Sequence, residues 1–523
     1  MNPIELGLFS SRVESICDEM GAALRRAAFS PNIKDRLDFS CAVFDAAGEL
    51  TAQAAHIPVH LGSMAYAMTS IVSRIAWQPG DMVVVNDPYM GGTHLPDVTV
   101  IAPVFVGEEL VAFVANRAHH ANIGATAPGS MPVSRSLHEE GVVISPTHLL
   151  RQGRWESPVL EQLAGLPAGR LSAQGGQALA SPALGDFSAQ VSANRVGVAR
   201  LQDLIEQYGP ARYRKMVDAL NDYACRLATA SLGAIPIGEY CFTDYLDDDG
   251  AGTERIPIVA KVTVDAAGIV VDFAGTAPQV AGNVNCPLSV AAAAVFYVFR
   301  CLMPDQIPAC AGAFKPIQLQ APAGCLLNAR YPAAVAAGNV ETSTRVVDVL
   351  LGALAQAMPD RIPAASHGSM NNLAMGALHA DGSRWDYYET IGGGMGASQK
   401  GPGLSGVQTH MTNTLNTPVE SLESHYPLRV KRYGLRRGSG GEGTHAGGDG
   451  IVREIEFLQP ATVSLLTERR SLQPWGLQGG SAGAVGRNCL NGHDLPGKVT
   501  FSVQAHDVLT LETPGGGGWG ITP

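Results

Sequence analysis

Two imidazoles and a carboxylate able to share a metal ion stand close together in NDPYMGGTHLPDVTVIAPVFVGEELVAFVANRAHH, Asn86 to His120. His94 and Asp97 leave a loop broken by Pro88, Gly91-Gly92 and Pro96, just before an apolar, β-branched run. Val98 to Val106 and Leu110 to Ala115 read as strands separated by Gly107-Glu108-Glu109, which predicts a β-hairpin. If Val106 pairs with Leu110 across a three-residue turn, Asp97 falls opposite His119; a two-residue turn at Glu108-Glu109 sets it opposite His120. Either register brings an imidazole to the Asp97 carboxylate. Mixed nitrogen and oxygen donors suit Zn, Mn or Fe(II) and can leave a position open for water or substrate. Adjacent strand residues face opposite ways, so His119 is expected to be the ligand and His120 to take a supporting or substrate-facing role. The competing reading is a set of polar hairpin ends hydrogen-bonded to backbone.

Further candidates surround this core. Asp38 sits at the mouth of an earlier strand, where it serves either as a strand-end residue or near the metal. His56 and His60 flank Pro58, which argues for loop or strand before the helical run Leu61 to Ile75; they either line a cleft or are hydrogen-bonded at the helix start. Asp87 or a cleft histidine could accept a proton from metal-activated water. Asn339, Glu341 and Arg345 lie in Gly338-Asn-Val-Glu-Thr-Ser-Thr-Arg345, which reads as a loop into a helix from Thr342 to Ala357. Its N-terminus could bind an anion, with Arg345 adding a planar cation; a Thr-capped helix with a Glu341–Arg345 pair accounts for it equally simply.

The elements that must position these residues follow from periodicity. Apolar residues from Leu6 to Ala27 recur at spacings of three and four, an amphipathic helix ended by Pro31. Phe39 to Phe44 and Leu50 to Ala54 form a hairpin around Asp45-Ala-Ala-Gly48. Gly124 to Gly185 is rich in Gly, Pro and Ser and is expected to be irregular. Phe187 to Tyr208 and Ala211 to Ala230 read as a helical pair, and Leu288 to Leu302 as an apolar helix whose Ala291 to Ala294 allow close packing. Tyr240 to Tyr245, Arg255 to Val264 and Ile269 to Phe273 read as strands. So do Val452 to Phe457, Ala461 to Leu466, Lys498 to Val503 and Val508 to Glu512. Gly392 to Ser398 is expected to let backbone approach the cleft or a neighbouring subunit, and Thr409 to Glu420 to line the cleft or form a turn. The expectation is a multi-domain α+β chain with mostly antiparallel sheets: an N-terminal domain with the metal site (1–235), a central α+β domain (236–437) and a β-rich C-terminal domain (438–523).

Composition narrows the function classes. Hydrophobic residues are 46% and charged ones 16%, which suits a globular chain with much buried surface and an oligomer. A net charge of −11 and the lack of a basic, aromatic-rich face argue against nucleic acid. No apolar run reaches membrane-span length and the charged N-terminus lacks signal-peptide regions, so a cytoplasmic chain is expected. Nine cysteines without a Cys-x-x-Cys pair fit reduced thiols. Neither Gly392 to Gly396 nor the glycines from Gly438 to Gly450 match a phosphate-binding loop.

NDPYMGGTHLPDVTV resembles the signature of the hydantoinase B/oxoprolinase family, as do DFSCAVFD (Asp38 to Asp45), HIPVHLGSM (His56 to Met64) and GNVETSTRVVD (Gly338 to Asp348). RGSGGEGTHAGGDGIVREIEF (Arg437 to Phe457) and TPGGGGWG (Thr513 to Gly520) extend the likeness to the end of the chain. The resemblance implies a metal-bearing, catalytic B-type chain of an ATP-dependent cyclic amide hydrolase acting on a hydantoin, 5-oxoproline or a lactam. ATP-Mg would be bound by a separate hydantoinase A-type subunit, in a hetero-oligomer containing a homodimer of this chain. It also draws Asp38 into the metal shell and Asn339, Glu341 and Arg345 toward substrate binding. Related ketone carboxylase subunits, or a scaffold without chemistry, are the alternatives.

Overall fold

The histidine-bearing hairpin is the centre of a seven-stranded sheet. A computed structural model describes residues 3–54, 56–125, 127–156, 158, 182–378 and 384–522, with only the backbone of Leu61, Pro182 and Ala183. Strands β1 (Phe39–Asp45), β2 (Leu50–Gln53), β3 (Met82–Val85), β4 (Asp97–Val106), β5 (Glu109–His119), β6 (Thr147–Arg151) and β7 (Arg154–Trp155) run antiparallel in the order β2-β1-β5-β4-β3-β6-β7. β6 and β7 lie within the stretch expected to be irregular; at five and two residues they are too short to show a period. Pro167-Ala-Gly-Arg170 within that stretch, which reads as a link in the sequence, falls outside the described residues.

Both faces of the sheet are covered, which explains why its central strands are buried along most of their length. Val98, Val100, Ala102 and Val104 join the core formed with helix α1 (Pro3–Ala27) and the Pro182–Tyr208 helix. Ile101, Phe113 and Ala115 pack instead with Met64, Met68 and Ile71 of a helix on the opposite face. That helix, α3, spans Pro58–Val72, with a short α2 (Pro31–Lys34) earlier in the chain. It begins three residues earlier than expected because Pro58 occupies its first turn, where a missing N–H costs nothing. His60 is therefore helical.

The Leu288–Leu302 helix has the predicted ends and packs closely on α3 through small residues. A Cβ on Gly62 would lie 2.5 Å from Ala293 Cα and 2.8 Å from its Cβ. Gly62→Ala is accordingly expected to destabilise the protein by roughly 1–3 kcal/mol, read as a lower urea midpoint at unchanged m-value.

Three further sheets complete the α+β fold. β8 (Gly238–Asp248), β9 (Glu254–Asp265), β10 (Gly268–Asp272) and β11 (Ile317–Gln320) lie in the order β11-β10-β9-β8, with β10 and β11 parallel. β12 (Asn372–Leu378), β13 (Arg384–Glu389), β16 (Ala461–Leu466) and β19 (Lys498–Val503) form the third sheet, β13-β12-β16-β19. The fourth is β14-β15-β20-β17-β18, with β14 at Leu428–Arg436, β15 at Gly450–Phe457, β17 at Arg487–Leu490, β18 at His493–Leu495 and β20 at Val508–Glu512. The C-terminal region is strand-rich, as its β-like runs predicted. Strand pairing in the third and fourth sheets joins residues on either side of Arg437. No described helix is long and apolar enough to cross a membrane, and all nine cysteines are free.

Candidate metal centre

Hairpin register decides which histidine meets Asp97. Val106 pairs with Glu109 across a two-residue turn at Gly107-Glu108, one residue earlier than the predicted two-residue turn, and carried straight down the ladder it would leave Asp97 opposite Ala118. A bulge between Val104 and Phe105 adds one residue to β5 and restores Asp97 to His119. Alternation then separates the two histidines. His120 turns toward the Pro182–Tyr208 helix, where Nε2 lies 2.9 Å from Gln190 Oε1 and the ring packs on Phe187. His119 turns to the opposite face with Arg117, whose guanidinium binds Thr99, Ser63 and the Gly91 carbonyl, tying the glycine loop before His94 to strand and helix.

His94, Asp97 and His119 offer ligand atoms all within 4.8 Å of one another, and all three side chains are buried. His94 Nε2 lies 3.3 Å from Asp97 Oδ2, and His60 Nε2 lies 3.1 Å from Asp97 Oδ1 without the alignment of a hydrogen bond. Thr93 Oγ1 donates to Asp97 Oδ2 at 2.6 Å and Asn339 Nδ2 at 3.3 Å. Asp38 faces the same space, 3.8 Å from His60 Nε2 and 3.8 Å from Arg36, while its carbonyl accepts the His119 N–H. Between them is a cavity of about 20 Å³, room for one water or one ion.

The donor set fits a metal. Both nitrogens of His94, Nε2 of His119 and Oδ1 of Asp97 are buried without a hydrogen-bond partner. One such ligand atom from each of three residues around one small cavity is costly unless something fills it. Burial, with neighbouring His94, holds the pKa of His119 well below its ordinary value, which keeps the imidazole in its neutral, ligating form. Burial would raise the pKa of Asp97, but His60 and His94 more than offset that and hold the carboxylate charged. Asp38 is raised, chiefly by burial. This buried group could hold a metal.

Hydantoinase B/oxoprolinase matches residues 2–522. The chain belongs to this family. It is 41% identical to 5-oxoprolinase 1 of Arabidopsis thaliana over 99% of its own length and 42% of that protein. This hydantoinase B/oxoprolinase chain thus spans about two fifths of the length of the 5-oxoprolinases it matches. It is 30% identical to the B-type chain of a putative D-/L-hydantoinase from Pseudomonas sp. strain NS671, covering 99% of this chain and 90% of that one. The crystal structure of an ATP-dependent caprolactamase from Pseudomonas jessenii superposes with TM-score 0.90 at 26% identity, covering 100% of this chain and 91% of that chain. An acetone carboxylase shares the fold alone, with TM-score 0.86 at 17% identity over 99% of this chain and 76% of that one.

Within the family fold, the other expected site residues divide. Asn339 reaches Asp97. Met411 and Thr412, from the polar stretch after Thr409, also line the cavity. Glu341 lies beside the cavity-lining Val340; its Oε1 accepts from the Met370 N–H and Asn372, while its buried Oε2 has no hydrogen-bond partner among the described residues. Three residues are elsewhere. Asp87 accepts the Tyr89 N–H and the Ser145 hydroxyl, capping the short turn that follows it. His56 accepts the Cys41 N–H and packs on Phe39, and burial lowers its pKa to about 4. Arg345 is buried against Glu468, Asp348 and Asp244 and donates to the Tyr245 carbonyl. The expected anion site at a helix N-terminus is corrected here: Gly338–Thr342 is a π-helical turn running directly into the Ser343–Ala357 helix, so that end is not free. The glycines of Gly392 to Gly396 also pack differently from expectation. A Cβ on Gly394 would lie 1.9 Å from the Gly448 carbonyl and 2.3 Å from Gly516 N, so these segments close on the chain's own backbone.

Sequence reasoning missed Asn32, Thr93 and Tyr388. Thr93 adjoins His94 and could have been found as its neighbour; the other two arrive from distant elements and left no local signal. Asn32 Nδ2 lies 3.2 Å from His119 Nδ1. Glu140 anchors the approach to the Asn339 turn, accepting Val335 and Ala336 N–H and the Ser134 hydroxyl. Burial pushes its pKa from 4.5 up to about 8. A carboxyl raised on folding contributes stability that is full below the unfolded value and lost as pH rises through the folded one. Stability should therefore fall between pH 4.5 and about 8, and Glu140→Gln should flatten that fall by something on the order of 3 kcal/mol, measured by urea unfolding at both ends.

Proposed function

We propose that this chain is the metal-bearing catalytic subunit of an ATP-dependent cyclic amide hydrolase acting on 5-oxoproline, a hydantoin or a related lactam. The observation that carries the reading is the buried, unpartnered His94, Asp97 and His119 donor set in a whole-length match to this family. Asp38 is the nearest candidate for a fourth ligand, supported by its place on the same cavity. A divalent ion bound there would lower the pKa of a water toward neutrality or polarise an activated carbonyl.

His60 is the group best suited to accept a proton, since its Nε2 faces the cavity between the Asp38 and Asp97 carboxylates. It takes that role from Asp87 and His56, whose hydrogen bonds are spent on backbone and serine. Asn339 holds the ligand carboxylate in place and closes one wall. A lactam ring needs far more room than about 20 Å³, so substrate entry must displace part of the wall. ATP-Mg would act on a partner subunit that activates the amide carbonyl. A screen of substrate-dependent ATP hydrolysis by the paired subunits against 5-oxoproline, hydantoins, lactams and ketones tests the assignment; activity on ketones alone would replace it with a carboxylase.

A further inference from the structure

The ring of Tyr388 lies flat against His119, with centroids 4.8 Å apart and planes 7° from parallel. Tyr388 comes from β13 in the third sheet, whereas His119 ends β5 in the first. Both ends of the tyrosine are held. Arg36 lies over its ring, 4.8 Å from the centroid, and donates to its backbone carbonyl at 3.0 Å. Its hydroxyl donates to Asn372 Oδ1 at 2.7 Å, Asn372 Nδ2 donates to Glu341 Oε1 at 2.6 Å, and the Met370 N–H donates to the same oxygen at 2.9 Å. Tyr388, Asn372 and Glu341 are 2%, 1% and 0% exposed. This buried chain of hydrogen bonds, running from the tyrosine hydroxyl to Glu341 Oε1, fixes the position of the tyrosine ring.

An imidazole turns easily about its terminal torsion, and a ligand whose ring turns no longer points at the ion. The Asn32 amide at Nδ1 restrains one edge of His119. It does not stop the ring from tipping; a flat aromatic face against it does. We propose that Tyr388 is a positioning residue for His119, its stacked ring setting the plane of the imidazole and hence the direction of Nε2. This rests on the metal reading of His94, Asp97 and His119. It also makes the site's geometry depend on docking of the third sheet against the first.

The test uses the full-length chain titrated with Co²⁺ against a competing chelator, with the visible spectrum recorded throughout. Tyr388→Phe keeps the stack and should bind within about threefold of the parent with the same bands. Tyr388→Leu should bind roughly 10- to 100-fold more weakly, the range for partners that orient a ligand, with shifted bands and unchanged circular dichroism. If the leucine variant does not fold, Tyr388→Met is read in its place, being unbranched and adaptable. Parent-like affinity and bands in the non-aromatic variant overturn the proposal, as does an equal loss in Tyr388→Phe. His119→Ala separates the two readings: if it binds Co²⁺ as the parent does, the metal assignment fails and this proposal with it. If His119→Ala loses the ion while Tyr388→Leu does not, only the positioning role fails.

Discussion

Asp97→Ala is expected to lose most of its bound divalent metal and to lower the activity of the assembled enzyme by roughly a thousandfold or more, about 4 kcal/mol of transition-state stabilisation. Asp97 is fully buried, and His60 and His94 hold its carboxyl ionised. It also lies within ion-pair distance of both His94 and His60. Alanine would remove the charge that compensates a divalent ion and leave Thr93 and Asn339 without an acceptor. Asp97→Asn keeps the shape but not the charge and should lose the metal to a similar degree, which separates electrostatics from packing. Elemental analysis with circular dichroism decides it. Undiminished metal in both Asp97→Ala and His94→Ala would falsify the assignment.

The second large effect is on assembly. Alone, this chain should show neither ATP turnover nor amide hydrolysis, and mixing it with an ATP-binding subunit should create substrate-dependent turnover that neither shows by itself. The glycine-rich segments that might have cradled phosphate are closed on one another, Gly394 against Gly448 and Gly516 and Gly447 against Gly516, and their sequence never matched such a loop. A net charge of −11 offers no basic funnel for a nucleotide. The buried donor set, by contrast, suits bond breaking. Low charge content implies a large contact with the partner, at or above roughly 2,000 Å², of which a homodimer of this chain would use part. Full-rate hydrolysis of a hydantoin or lactam by the isolated chain without ATP would replace this reading with a simple metal-dependent cyclic amidase.

What the sequence determined by itself is what depends on near neighbours. The Leu288–Leu302 helix has the ends its periodicity predicted, because apolar spacing and flanking prolines act within a few residues. The hairpin, the meeting of Asp97 with one of two adjacent histidines, and the whole-length family signature were legible for the same reason. The four C-terminal β-like runs were legible too, but not their partners: β16 joins β12, far earlier in the chain, through pairs such as Asn372 with Leu466, 94 residues apart.

Only the tertiary structure decided the rest. The pairing of Asp97 with His119 rests on turn and bulge together, since the turn at Gly107-Glu108 alone would have set Asp97 opposite Ala118; turn position and bulge compensate, and only the finished ladder shows both. Arg345 looked free to bind an anion, yet Asp244 and Glu468 from distant segments and Asp348 from its own helix surround it. Asp87 and His56 had the right chemistry and the wrong orientation, since a backbone N–H nearer to hand took each of them. Tyr388 could not have been found at all, because nothing in WDYYET says which tyrosine will lie on a histidine of another sheet. Side-chain direction and long-range packing are properties of the assembled core, and the residue types that carry chemistry become a site only when that packing buries them together without partners.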